Sequence, residues 1–314
     1  MPTKKITLKS PSPKSKPRSK SNNSGTDFSP SGRTKVRPTI VTTAPPEKKA
    51  PRKTVGRHGG IKKVVVPQKT TVEKVRLNRF IAASGVTSRR KADELILKGK
   101  VKVNGKTVID FVQVNPFLDS VTVNGEIVSM SQKHIYLLLN KPKDTISTSK
   151  DEIGRTTVLD YVKTNERIYP VGRLDRNTTG VMLLTNDGEL TQRLTHPKYG
   201  IERIYHVTLD KPLKRLDAEA IAKGGVDIGR GNITSALHLD VGAKDGRDVL
   251  VTIREGKYHE VRLMFEKFEY EVKKLDRVMF AGLTHSGMKR GDVRPLSPLE
   301  VRTLKRLAKL EVAV

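Results

Sequence analysis

The 314-residue sequence predicts an α+β protein, with a small module of helices and hairpins followed by a larger strand-rich domain. Three observations carry this expectation. Residues 1–74 show no apolar periodicity, whereas from residue 75 a helical period appears and then gives way to strict alternation. Two Asn-Gly dipeptides, Asn104-Gly105 and Asn124-Gly125, each follow a short Val-x-Val run, which is the signal of a tight hairpin. Beyond residue 135 long strands with few helices argue for α+β rather than alternating β-α units.

Residues 1–74 carry 19 Lys+Arg, only Asp27, Glu47 and Glu73 as acids, and 10 of the chain's 17 prolines. Such a segment has too little apolar surface to offset the entropy of ordering it, so it reads as a disordered basic arm. Residues 75–134 form the next unit. Leu77, Phe80 and Ile81 recur at helical spacing, Gly85 ends that helix, and Ser88 can cap a second one carrying Ala92, Leu95 and Ile96 up to Gly99. Residues 135–314 are the third unit. Ile135–Leu139, Val181–Leu184, Ile204–Leu209 and Val249–Ile253 read as strands. Helices are predicted at 187–195 before Pro197, at 217–223 before Gly224-Gly225, and at 259–268, where Val261, Met264, Phe265 and Phe268 share a face. The last helix begins at Ser297-Pro298-Leu299-Glu300, a capping box with proline at its first position.

Charge narrows the partners. With 61 Lys+Arg against 33 Asp+Glu the formal net charge is +28, so a polyphosphate is the expected counter-surface and binding should weaken with salt. No apolar run approaches the roughly 18 to 20 residues of a membrane span, and the N-terminus lacks a signal-peptide core. A soluble, cytoplasmic protein that works as a monomer and needs no membrane is expected. The absence of cysteine removes thiolate nucleophiles and Cys-ligated zinc. His259-Glu260-Val261-Arg262-Leu263 begins like a zinc-protease motif but has Leu263 where the second histidine must stand, so no metal site is expected. No phosphate-binding Gly-rich loop, dinucleotide fingerprint or Gly-x-Ser-x-Gly elbow is present.

One stretch stands out chemically. Gly172-Arg173-Leu174-Asp175-Arg176-Asn177-Thr178-Thr179-Gly180 sets a single carboxylate among cations and turn-forming residues, just ahead of the apolar run Val181–Leu184. An acid so placed in a cationic chain suggests chemistry on a polyanion. Paired carboxylates for glycoside hydrolysis would require a second acid beside Asp175, which the sequence alone does not place.

Two resemblances then give these residues a setting. Ala83-Ser84-Gly85-Val86-Thr87-Ser88-Arg89-Arg90 and Gly99-Lys100-Val101-Lys102-Val103-Asn104-Gly105 closely resemble the S4 RNA-binding domain. That resemblance implies that Arg89, Arg90 and Lys91 contact RNA phosphates. Tyr169–Gly180 with Leu183–Leu190, Arg203-Ile204-Tyr205, Glu255–Arg262, Leu275-Asp276-Arg277 and Gly291–Glu300 resemble, in order, the motifs of the pseudouridine synthases. The match is to the branch acting on ribosomal RNA, in which an S4 domain precedes a catalytic domain built on a mixed, mainly antiparallel sheet.

The resemblance implies isomerisation of uridine to pseudouridine without a cofactor. Asp175 would supply the carboxylate, as a nucleophile toward sugar or base, or as a base toward the sugar. Arg262 would pair with Asp175 and hold it in the pocket, Tyr205 would stack on the uracil near its C5 proton, and Arg173 would fill the gap left by the flipped uridine. His259 and His196 are given structural roles. The likeness around Gly188–Pro197 points to large-subunit ribosomal RNA, free or in pre-ribosomal particles. Glu260 stands where the family usually has glutamine, Leu263 where a second basic residue is common, and Arg203 where lysine is frequent. The competing reading is a non-catalytic RNA-binding or ribosome-assembly factor, and a third is a DNA-binding protein.

Overall fold

The structure is a computed structural model and describes residues 73–130, 133–149 and 151–310. The expected basic arm lies outside these residues apart from Glu73 and Lys74.

Local signals build the N-terminal module. Helices Leu77–Ala83 and Arg89–Leu97 bury Leu77, Phe80, Ile81, Ala92 and Ile96 in one cluster with Val101, Val114, Val121 and Val123. The first helix ends at a turn in which Gly85 has φ +82°. The second starts at Ser88, whose hydroxyl accepts a hydrogen bond from the Lys91 N–H at 3.3 Å and satisfies an otherwise unpaired helix-end donor. Strands Val101–Val103, Lys106–Val108, Val121–Val123 and Glu126–Val128 form an antiparallel sheet, and both Asn-Gly turns have positive φ at both central residues. This is the twist-matched hairpin turn that the dipeptide favours.

The larger unit is organised by a nine-stranded sheet. Along its main path the order is His238–Val241, Asp248–Ile253, Arg203–Leu209, Val272–Phe280, Thr179–Thr185, Tyr136–Lys141 and Val293–Pro295. Among the described residues every neighbouring pair is antiparallel except Val272–Phe280 with Thr179–Thr185, which run parallel. The sheet is therefore mixed and mainly antiparallel. Alternation along the strands explains why the apolar run Val181–Leu184 is wholly buried: Met182 and Leu184 enter one core, Val181 and Leu183 the other. Helix Glu260–Glu266 seals the first face through Val261, Met264 and Phe265. Helices Gly188–Thr195 and Pro298–Leu307 seal the second through Leu190, Leu194 and Leu304.

Helix ends follow the side-chain chemistry with small shifts. The last helix has its capping box at Ser297 and Glu300, and the one expected at 187–195 begins after Asp187, whose carboxylate caps the Leu190 N–H at 2.9 Å. The helix expected at 259–268 spans only Glu260–Glu266, because His259 adopts a left-handed conformation with φ +48°. The nine-residue strand Val272–Phe280 is absent from the strands that the sequence predicts. Its Lys273-Lys274 and Asp276-Arg277 pairs break the alternation, and two register shifts against Arg203–Leu209 remove the period by which a strand is recognised.

Candidate active site

The loop carrying Asp175 crosses from the short strand Tyr169–Pro170 to Thr179–Thr185, at the sheet's parallel seam. Its conformation is fixed from below. Leu174 is buried in the first core, and its backbone N–H and C=O both bond the Ser147 hydroxyl, at 3.1 and 2.8 Å. Lys141, at the end of its strand, is fully buried, and its ammonium donates to the carbonyls of Pro142, Asp175, Arg176 and Thr178 at 3.2, 3.1, 3.2 and 2.8 Å. Burial pushes this ammonium down to about 8, against the pull of the Asp175 carboxylate. A cation that gathers three carbonyls of one loop locks that loop to the sheet. The seam itself requires Gly180, whose φ is +107° and where a Cβ would collide with the Arg277 carbonyl.

With Leu174 drawn down, Asp175 turns up into an open cleft of about 720 Å³ that Arg173, Tyr205, His259 and Arg262 also line. The expectation that Arg262 pairs with Asp175 is corrected by the structure. The Asp175 side chain is 38% exposed, and its near partner is His259, whose Nε2 lies 3.2 Å from Oδ1. Arg262 lines the same cleft but donates to the Val272 carbonyl at 3.0 Å, and no ion pair with Asp175 forms among the described residues. The left-handed turn at His259 is the physical reason: it ends the loop one residue before the helix and carries the imidazole, not the guanidinium, to the carboxylate. His259, expected to be merely structural, therefore meets the acid directly. Its ring also stacks on Tyr258 with centroids 4.0 Å apart.

Tyr205 is 8% exposed in the strand Arg203–Leu209, so its ring forms cleft wall as well as core. Behind it lie two buried cations. Arg203 donates to the Ile201 and Leu194 carbonyls at 3.1 and 3.4 Å, and Arg277 donates to the Val181 carbonyl at 2.8 Å. Glu260, the residue that departs from the family's usual glutamine, is 5% exposed and accepts the Lys257 N–H at 2.9 Å. Burial holds its carboxyl above the usual carboxylate range.

A second hollow of about 1140 Å³ adjoins Asp175 and is lined by Lys143, Arg176, Lys273, Lys274 and Arg290 among others. Its two further carboxylates are already engaged: Asp276 with Arg290 at 2.9 Å and with Thr179 at 2.6 Å, Asp248 with His206 at 3.2 Å. This is a poor setting for the two free carboxylates that glycoside hydrolysis needs. The described residues hold no group of three or more His, Cys, Asp or Glu suited to a metal, and no helix among them is long and apolar enough to cross a membrane.

Arg89, Arg90 and Lys91 are exposed at the start of the second helix. They do not share one environment. Arg89 reaches the start of helix Gly188–Thr195, where a methyl on Gly188 would meet its guanidinium at 4.0 Å, and Arg79 pairs with Glu189 of that helix at 3.5 Å. His259 and Arg277 stand inside the family motifs but were given no part in the site by sequence reasoning, and Lys141 was missed. A lysine two residues beyond the apolar run Tyr136–Leu139 was the one signal available for Lys141.

Residues 135–267 match the family described as RNA pseudouridylate synthase, and residues 75–110 match the S4 domain. Ribosomal large subunit pseudouridine synthase B of Bacillus subtilis strain 168 is 42% identical over 238 residues, covering 74% of this chain and 96% of that protein. Dual-specificity RNA pseudouridine synthase RluF of Escherichia coli K12 is 36% identical over 239 residues, covering 74% of this chain and 79% of that protein. A crystal structure of a pseudouridylate synthase superposes with a TM-score of 0.55 at 31% identity, covering 73% of this chain and 99% of that one. The chain belongs to the RNA pseudouridine synthase family, in the branch that joins an S4 domain to the catalytic domain. It is an enzyme that isomerises uridine to pseudouridine.

Proposed function

We propose that this enzyme modifies a uridine of ribosomal RNA, in the large subunit, free or within a pre-ribosomal particle, acting as a cytoplasmic monomer. The observation that carries the chemistry is the Asp175 carboxylate, raised into the cleft on a loop that Lys141 and Ser147 clamp, with Tyr205 in the same wall. The large-subunit assignment draws on the B. subtilis relative, whose name states that specificity.

In this reading a target uridine is flipped from its helix and Arg173, at the cleft rim, occupies the vacated stack. Tyr205 lies against the uracil ring. Asp175 acts at the ribose beside the glycosidic bond, His259 orients it, and Arg262 stays in the cleft wall, where it meets the RNA. Arg90 and Lys91, with Arg89 beside them, attract phosphates of the surrounding RNA. The reaction is an isomerisation, so these residues need no cofactor.

Large-subunit RNA tritiated at uracil C5 should release tritium when incubated with the protein, and small-subunit RNA should not. Asp175→Asn should abolish release while RNA affinity, measured by filter binding, changes less than about threefold. Sustained release by that variant would remove Asp175 from the chemistry. Release from small-subunit RNA alone would overturn the subunit assignment.

A further inference from the structure

Asp175 stands where two hollows meet. On one side lies the cleft of about 720 Å³ with Tyr205 and Arg173, and on the other the hollow of about 1140 Å³ with Lys143, Lys273, Lys274 and Arg290. With the uracil against Tyr205 and the ribose at Asp175, the backbone of that nucleotide leaves on the side away from its base. That side is the cationic hollow.

Arg290 is built into its wall. Its Nη1 donates to the Asn140 side-chain oxygen at 2.6 Å and lies 2.9 Å from an Asp276 carboxylate oxygen. Both partners are held in turn: Asn140, 2% exposed, donates its amide to the Met288 carbonyl at 2.9 Å, and Asp276 accepts the Thr179 hydroxyl at 2.6 Å. The main chain of Asn140 also bonds that of Gly291 and Asp292, at 2.8 and 3.0 Å, so the loop is pinned on both sides of Arg290. The guanidinium is thereby oriented by one corner, and among the described residues its Nε and Nη2 meet no acceptor. That open edge carries two parallel donors, the fork that fits two oxygens of a phosphate.

The strand Val272–Phe280 adds two cations through a bulge. Thr208 pairs with Lys274 and Leu209 with Val272, so Lys273 is an extra residue in the ladder. Regular alternation would send Lys273 and Lys274 to opposite faces, but with the bulge both are exposed and both line the hollow. Lys274 has no acid partner among the described residues, and Lys273 holds Glu271 at 2.6 Å in an exposed pair of the kind that contributes little. With Asp276 and Asp248 already engaged, the uncommitted charge facing the hollow beyond Asp175 is positive.

We propose that this hollow is a backbone clamp: Arg290 and Lys274 hold the phosphates that flank the flipped uridine, across Asp175 from Arg173. The clamp rests on the placement of uracil and ribose proposed above, and it is separate from the phosphate contacts of the S4 module. Turning a nucleotide out of its helix rotates the backbone on either side of it. A rigid fork set for the rotated backbone holds the uridine extruded while Asp175 acts, so its effect falls on turnover of bound RNA more than on first affinity.

The test begins by mapping pseudouridine in ribosomal RNA treated with the wild-type protein. A synthetic fragment centred on the modified uridine is then made with a neutral methylphosphonate in place of each flanking phosphate, one at a time. One replacement should lower the wild-type kcat about 30-fold. Arg290→Gln should be slowed about as much on the unmodified fragment, with KM within about threefold, and should lose less than about threefold more from that same replacement. Lys274→Gln, a change at an exposed side chain that leaves the loop of Arg290 intact, should behave likewise at a neighbouring phosphate with a loss of about tenfold. Wild-type indifference to every replacement, or equal losses from each replacement in the wild type and both variants, would overturn the clamp. A modified uridine in small-subunit RNA would overturn only the subunit assignment, and the fragments built on that site would test the clamp in the same way.

Discussion

The S4 module and the catalytic sheet use the same residue types in opposite ways. In the module the notable cations, Arg89, Arg90 and Lys91, are exposed on the first turn of a helix, where they oppose the helix dipole until an anion arrives. In the sheet the notable cations, Lys141, Arg203 and Arg277, are buried, and each directs donors to backbone carbonyls. Exposed charge attracts RNA over a distance and is screened by salt. Buried charge fixes geometry over a few ångströms and is screened far less. The contrast predicts that mutations in the module weaken binding, whereas mutations in the sheet damage catalysis or folding.

The largest expected effect is at Lys141. Lys141→Met removes the donor that four carbonyls share, the buried one of Thr178 among them, and frees the Asp175 loop, so kcat should fall by about a hundredfold or more while RNA affinity is nearly kept. An equal fall in affinity would break the contrast. Because burial lowers the Lys141 ammonium to about 8, the pH dependence has a definite sign. Folding disfavours the protonated form, so this penalty on stability is complete below about pH 8 and is relieved as pH rises toward the unfolded value, near 10.4. Activity should move the other way, since the neutral amine has fewer donors for the loop. A fall in kcat centred near pH 8, shifted upward in Lys141→Arg, would sharpen the assignment, and a flat profile would count against it.

Gly180→Ala comes next. The added methyl meets the Arg277 carbonyl at a residue with positive φ, so unfolding free energy should drop by about 3 kcal/mol or more. Denaturant titration would measure it, and a loss under about 1 kcal/mol would mean that the seam can yield. The smallest effect belongs to the module. Arg90→Ala with Lys91→Ala should weaken RNA binding several-fold, leave kcat unchanged, and reduce the salt slope of log K by about 0.7 to 0.9 for each phosphate that the protein ceases to neutralise. A fall in kcat at saturating RNA would show that the module does more than hold the substrate.

The same contrast explains what could be read in advance. The module's helices, its capping Ser88 and its two Asn-Gly hairpins are determined within a few residues, so periodicity and turn chemistry located them. In the larger domain the apolar run around Val181–Leu184 and the capping box at Ser297 were equally plain. The central strand Val272–Phe280 was not, because its charged pairs make sense only beside Arg203–Leu209 and Thr179–Thr185. Asp175 and Tyr205 were legible through motif order, and the cleft brings them together. The expected Asp175–Arg262 pair does not form, since the direction of a side chain after a left-handed turn is a three-dimensional matter.

The sequence by itself determined the family, the order of its two modules, the carboxylate in the Gly172–Gly180 loop and the cationic character of the chain, because each depends on residue identity and short spacing. Only the tertiary structure decided which groups meet that carboxylate. The strand ending in Lys141, the turn at His259 and the central strand bearing Arg277 are brought to the one loop by long-range pairing in the sheet. A one-dimensional pattern does not carry the direction or distance of such contacts, because they arise from the register of strands far apart in the chain.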